Sequence, residues 1–141
     1  MKQKTIVGGI IGGVVFFLLG WLFYGIIMKD AMKDMGGGIM RSETDMMGFM
    51  WAMIVSNLVW GYAFAVIFDW GGINSAMSGL TKGAFIGFLI CLSIDLGFYA
   101  MSTWFKDMGG MIMDVVTGTI MSAAGGAFIG WWLGRGANAA A

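Results

Sequence analysis

Four polar side chains stand out within long apolar stretches of this 141-residue chain: Asp95, Asp114, Asn57 and Tyr99. An ionised carboxylate is costly when it faces lipid, so an acid in an apolar helix is expected to face protein or water. We predict a proton or cation site with Asp95 as its central acid, Asp114 beside it, and Asn57 and Tyr99 as hydrogen-bond partners. The alternative is a hydrogen bond that only fixes helix register, and it is the simpler interpretation for Asp114, close to a helix end.

Methionine sulfur offers a second chemistry, since most of the 15 methionines lie toward one side of the predicted helices. Thioethers are soft ligands that favour Cu(I) or Ag(I) over hard cations. The spacing suggests a candidate set for such an ion: Met46, Met50, Met53, Met111 and Met113. Methionine is also a general filler of gaps in packing, so a purely structural use stays open.

Other chemistry finds little support in the composition. The chain has no histidine and a single cysteine, which rules out histidine-dependent sites and any intramolecular disulfide. Ser93, Thr117 and Ser122 have no evident base beside them, so we predict a protein without catalytic activity and without a cofactor. The formal net charge is zero, and binding to nucleic acid is therefore not expected.

The elements that must position these residues are membrane helices. Hydrophobic residues make up 59% of the chain and charged residues 11%, and proline is absent, which suggests regular helices. Continuous apolar runs of about 20 residues predict an all-α membrane protein with four transmembrane helices in one domain, 1–135, followed by a tail, 136–141. The predicted spans are 5–28, 46–68, 80–103 and 109–134.

One eight-residue sequence, here called the repeated phrase, occurs twice with a single difference, as KDMGGGIM at 33–40 and KDMGGMIM at 106–113. We expect Lys-Asp to end a helix in each copy and Gly-Gly to let the chain turn. The phrase therefore predicts two parallel helical-hairpin repeats, related by an axis along the membrane normal. The alternative is that the two segments are similar only because both form the same kind of turn, without a repeat of the whole hairpin.

Glycines recur at four-residue spacing in three predicted spans, a pattern that allows helix backbones to approach closely in lipid. With four spans, both termini share one side, here called the termini side, and the glycines lie toward it, whereas bulky residues lie toward the opposite side. We therefore predict a vestibule that opens on the opposite side. The glycines expected at helix contacts are Gly9, Gly13, Gly83, Gly87, Gly126 and Gly130.

Lys and Arg are balanced across the two sides, and we assign the termini to the cytoplasm from the crowding of acids on the other side. Leu19-Gly20-Trp21, the nearby Tyr24 and the run 130–134 (GWWLG) give the chain its one resemblance. It resembles uncharacterised bacterial four-helix inner-membrane protein families. The resemblance implies a bacterial inner membrane and implies no activity.

These observations favour a non-catalytic oligomeric scaffold or accessory subunit, surrounded by membrane lipids and packed through its glycine faces against copies of itself or a membrane-protein partner. A small transporter or channel is the first alternative, in which protons, cations or an amphiphile reach Asp95 through the vestibule. Cu(I) or Ag(I) binding by the methionines is the second.

Overall fold

The computed structural model describes residues 2–31 and 41–135, and all regular secondary structure in these ranges is helical. Four of the helices are long and apolar enough to cross a membrane, as predicted. Residues 33–40, with the first copy of the repeated phrase, and the tail 136–141 lie outside the described residues. The elements are α1 (Gln3–Gly20) with a π-helical continuation (Trp21–Ile27), α2 (Glu43–Gly48), α3 (Met50–Trp70), α4 (Ala76–Met101) and α5 (Met108–Gly134).

Side-chain caps shift two predicted boundaries. The span predicted at 46–68 is divided at Phe49, because residues 46–48 belong to the separate helix α2. Ser42 caps α2: its hydroxyl accepts a hydrogen bond from the Asp45 amide at 3.1 Å. The span predicted at 80–103 begins earlier, because the Ser75 hydroxyl accepts from the Ser78 amide at 3.2 Å and starts α4 at Ala76. A hydroxyl at this position satisfies an amide that has no partner inside the helix.

The first spanning helix is not a regular α-helix throughout, contrary to the prediction from the absence of proline. Residues Trp21–Ile27 are π-helical, and the Met28 amide donates to the carbonyl of Phe23, five residues earlier, at 2.7 Å. Proline is only one cause of helix irregularity, and a π-helical insertion is another. The wider turn changes the direction in which Tyr24 leaves the helix.

The second copy of the repeated phrase starts a helix instead of ending one. The Asp107 side chain accepts from the Gly110 amide at 2.8 Å and caps α5, so Gly109 and Gly110 lie inside its first turn. The chain turns earlier, over residues 102–107. The prediction that Gly-Gly makes this turn was therefore wrong, because an aspartate cap fixes the helix start. The parallel repeat of two hairpins stays a prediction.

The four long helices form two antiparallel pairs, α1 with α3 and α4 with α5, and α1 also packs on α5. The start of α1 meets the ends of α3 and α5: the Thr5 hydroxyl donates to Asp69 Oδ2 at 3.0 Å, and Trp132 Nε1 donates to the Lys4 carbonyl at 3.1 Å. The beginning and the end of the described chain therefore lie at the same end of the bundle, the termini side.

An aromatic core joins α1, α3 and α5 in the half of the bundle near the termini side. Phe16 and Phe64 are almost completely buried and pack edge to face, with ring centroids 5.4 Å apart. Phe68 continues the stack at 5.8 Å from Phe64, and Ile129 of α5 fills the space beside it. Edge-to-face rings add about 0.5–1.5 kcal/mol beyond their buried area. This core holds the α1–α3 pair against α5.

Candidate functional site

Two rows of small residues at four-residue spacing bring α4 and α5 into backbone contact. A methyl group placed on Gly79 or Gly83 would collide with the carbonyl of Gly126 or Ser122, so no side chain fits there. Positions four apart stay on nearly the same face of a helix, and the rows face each other along the whole pair. We call the two rows together the small-residue ladder: Ser75, Gly79, Gly83, Gly87, Cys91 and Asp95 on α4, and Asp114, Gly118, Ser122, Gly126, Gly130 and Gly134 on α5.

The antiparallel course of the helices pairs the rungs in reverse order. Gly87 lies against the Ser122 side chain, and Cys91 Sγ lies against Gly118. One step further toward the opposite side, the two rows end on carboxyl groups. The ladder therefore places Asp95 opposite Asp114.

Asp95 is only 6% exposed, and its Oδ2 has no hydrogen-bond partner among the described residues. The Asp95 carboxyl interacts with that of Asp114, which is half-buried. The Tyr24 hydroxyl, on the π-helical segment, donates to Asp114 Oδ1 at 2.7 Å. Three long helical segments thus contribute one polar group each to a small cluster in which Asp95 is buried and the other two are half-buried. We call it the carboxyl site: Tyr24, Asp95 and Asp114.

Within residues 2–31 and 41–135, the carboxyl site combines two acids with a tyrosine hydroxyl. Neither Asp95 nor Asp114 forms an ion pair with lysine or arginine there. Two ionised carboxylates side by side in an apolar region are strongly unfavourable, and such pairs are stabilised by a shared proton or a bound cation. The same part of the chain has no group of three or more Cys, Asp or Glu residues that could hold a metal ion. The arrangement is chemically suited to a proton or a small monovalent cation.

The structure brings together two of the four polar residues predicted for this site. Asn57 lies elsewhere: it is on α3, which packs mainly on α1, and its side chain donates to the Met53 carbonyl of its own helix at 2.8 Å. Tyr99 lies one helical turn beyond Asp95 and is 38% exposed, without a hydrogen bond to Asp95. Tyr24, instead of Asn57 or Tyr99, is the hydrogen-bond partner of the acids, through its bond to Asp114. The prediction used the depth of each residue in its helix and ignored the face on which it lies.

The methionines proposed for Cu(I) or Ag(I) point in different directions. Met111 is buried, whereas Met113 is 44% exposed, because residues two apart on a helix lie on nearly opposite faces. Met50 and Met53 on α3 are both exposed, and Met46 lies in α2. Another methionine, Met28, is buried and accepts a hydrogen bond from the Thr117 hydroxyl at 3.1 Å.

All six predicted packing glycines lie at contacts within this chain. On α1, a methyl group added to Gly9 would lie 2.8 Å from the Tyr62 Cα, and one added to Gly13 would lie 2.7 Å from the Leu58 Cα. Gly61 of α3, which was not predicted, fits between Gly9 and Gly13. Gly83, Gly87, Gly126 and Gly130 belong to the small-residue ladder. These glycine faces are therefore covered by the chain itself.

A cavity of about 250 Å³ lies at the termini side, where the starts and ends of the helices meet. It is separate from the carboxyl site, which lies toward the opposite side. The vestibule predicted on the opposite side stays a prediction, since residues 32–40, which were predicted to lie on that side, are outside the described ranges. Searches against models of protein families, against curated proteins and against solved structures found no match to this chain.

Proposed function

We propose that the chain is a non-catalytic four-helix membrane protein that binds a proton or a small monovalent cation at the carboxyl site and carries it across the membrane. One observation carries the proposal: Asp95 is 6% exposed, has an oxygen without a partner in the described residues, and faces a second carboxyl group. A residue used only to fix helix register would have its hydrogen bonds satisfied. Ionisable groups inside a membrane are by default functional.

The neighbouring groups suggest a route for the proton. Asp114 is half-buried and holds the Tyr24 hydroxyl, whereas Asp95 is the buried member of the pair. A proton arriving from the opposite side would reach Asp114 or Tyr24 first and Asp95 second. The π-helical turn that carries Tyr24 supports this role, because such turns occur frequently at functional sites.

The test is transport by the purified protein in liposomes that contain the pH-sensitive dye pyranine. A potassium diffusion potential drives proton uptake, and sodium uptake is measured in parallel. We expect Asp95→Asn to lower the uptake rate of the transported ion, whether proton or sodium, to that of protein-free liposomes. Asp107→Asn is the matched control: Asp107 is an exposed acid at the start of α5, and asparagine caps a helix equally well. Equal rates for wild type and Asp95→Asn, or no transport by wild type, contradict the proposal.

A scaffold or accessory subunit is the second candidate, in the cytoplasmic membrane with the termini in the cytoplasm. The observation that favours it is the exposure of α4: this helix packs chiefly on α5, and only 11% of its most apolar stretch is buried. A copy of the chain or another membrane protein would have to use this exposed helix, because the glycine faces are already covered. Light scattering of the protein in mild detergent measures the mass, and a strictly monomeric sample would count against a homo-oligomer.

A further inference from the structure

The cavity at the termini side has a polar rim and an apolar floor. The floor is made by Phe68 at the end of α3, Ile73 in the following loop, and Leu133 near the end of α5. Phe68 is completely buried and belongs to the aromatic core, so this part of the cavity rests on packed side chains. The rim carries Lys2, Lys4, Asp69 and Asn74. A ligand with a charged head and an apolar part matches such a surface.

The charged side chains on the rim sum to a net positive charge, which is carried by Lys4. Asp69 is compensated, since Lys2 Nζ lies 3.8 Å from its Oδ1 and the Thr5 hydroxyl donates to its Oδ2 at 3.0 Å. Lys4 Nζ donates to the backbone carbonyl of Arg135 and, in residues 2–31 and 41–135, forms no ion pair. An ammonium group has three donors, so Lys4 has capacity for further acceptors.

Arg135 adds to the positive potential at this end of the bundle. Its guanidinium group stacks over two adjacent rings, 4.8 Å from the centroid of Trp131 and 5.1 Å from that of Trp132. Stacking on tryptophan keeps the cation close to the helix end without neutralising it. Tryptophan and arginine also mark the level of lipid headgroups in membrane proteins.

We propose that this cavity binds the phosphate group of a small anionic phosphate ester, with Lys4 as the main charged contact and Asn74 as a neutral donor. Basic pockets between membrane helices bind lipid headgroups by the same chemistry, in which an ammonium group and a phosphate form a charge-assisted hydrogen bond. The phosphate has two possible sources, an anionic phospholipid headgroup and a free phosphate ester. The carbon atoms of the ligand next to the phosphate would contact the apolar floor of the cavity.

The test is isothermal titration calorimetry on the full chain in dodecyl maltoside, with three probes: dihexanoyl phosphatidylglycerol, dihexanoyl phosphatidylcholine and glycerol 3-phosphate. We expect binding of phosphatidylglycerol at least tenfold tighter than that of phosphatidylcholine, whose headgroup has no net charge. Binding of phosphatidylglycerol without glycerol 3-phosphate identifies the lipid as the source, and comparable binding of both identifies phosphate esters in general. Absence of heat with both anionic probes overturns the proposal.

Three variants separate a binding role from a structural one. Lys4→Gln removes the charge but keeps a donor for the Arg135 carbonyl, and we expect affinity to fall about tenfold, the size of one charge-assisted hydrogen bond. Lys82→Ala is the matched control, because Lys82 is an exposed lysine at the same end that does not line the cavity. Asp69→Asn should instead tighten binding, since Asp69 is the one acid among the described residues that line the cavity. Unchanged affinity in Lys4→Gln, or an equal loss in Lys82→Ala, contradicts the site.

Discussion

Replacement of Gly83 by alanine tests whether the small-residue ladder holds α4 and α5 together. The added methyl group would overlap the Ser122 carbonyl oxygen and lie 3.1 Å from the Gly126 Cα, where ordinary contacts begin at 3.4 Å. Both neighbours are backbone atoms, which cannot rotate away as a side chain can. The helices must therefore separate locally, and contacts along the adjoining rungs are lost.

The expected cost follows from two opposing terms. Overpacking of a close contact destabilises a protein by about 1–3 kcal/mol. Alanine regains up to about 1 kcal/mol of helix propensity relative to glycine. The net expectation for Gly83→Ala is a loss of roughly 1–2 kcal/mol in the free energy of unfolding.

Gly97→Ala supplies the control in the same helix. A methyl group there would meet only the end of the Met101 side chain, at 3.8 Å, so we expect no loss and a gain of up to about 1 kcal/mol. Unfolding of both variants is followed by circular dichroism during titration of SDS into mild detergent micelles. Equal stability of the two variants would refute the explanation of the ladder as a steric requirement.

Two further predictions concern the turns that connect the helices. Gly72, between α3 and α4, has φ of +64° with open space around it, so Gly72→Ala should cost about 1–2 kcal/mol through backbone conformation alone, measured by the same SDS titration. Asp107→Ala removes the cap of α5 and should cost about 1 kcal/mol, whereas Asp107→Asn should cost much less. If alanine and asparagine at 107 are equally destabilising, the cap is not what starts the helix.

The four spanning helices were predictable because long apolar runs in a chain with few charges leave little choice of structure. Their ends were less predictable from hydrophobicity, which does not distinguish a capping residue from a loop residue. Ser75 and Asp107 both look like loop residues by polarity, yet each starts a helix. A serine or aspartate directly before an apolar helical run is a signal for a helix start, because its side chain can accept from a free amide of the first turn. This signal could have been used to place both helix starts.

The pairing of Asp95 with Asp114 could have been predicted from the four-residue spacing of small residues that leads to each acid. Counting back in fours from Asp95 leads through Cys91 and two glycines to Gly79, and counting forward in fours from Asp114 leads to Gly134. Tyr24 was not predictable in the same way. Its position depends on the packing of α1 against α5 and on the π-helical turn, and neither leaves a periodic pattern in the sequence.

The ladder explains how a pair of long apolar helices tolerates two facing acids. Glycine and serine rungs bring the α4 and α5 backbones together over most of their length, and the resulting dispersion contacts stabilise the pair in lipid, where hydrophobic association is weak. Because the acids continue the same rows, this packing forces them to face each other and offsets the cost of burying them. The helices cannot rotate to expose Asp95 to water without breaking the glycine contacts. Under the proposed function, a proton or a cation at the carboxyl site would relieve the repulsion between ionised acids, and occupancy of the site should stabilise the helix pair.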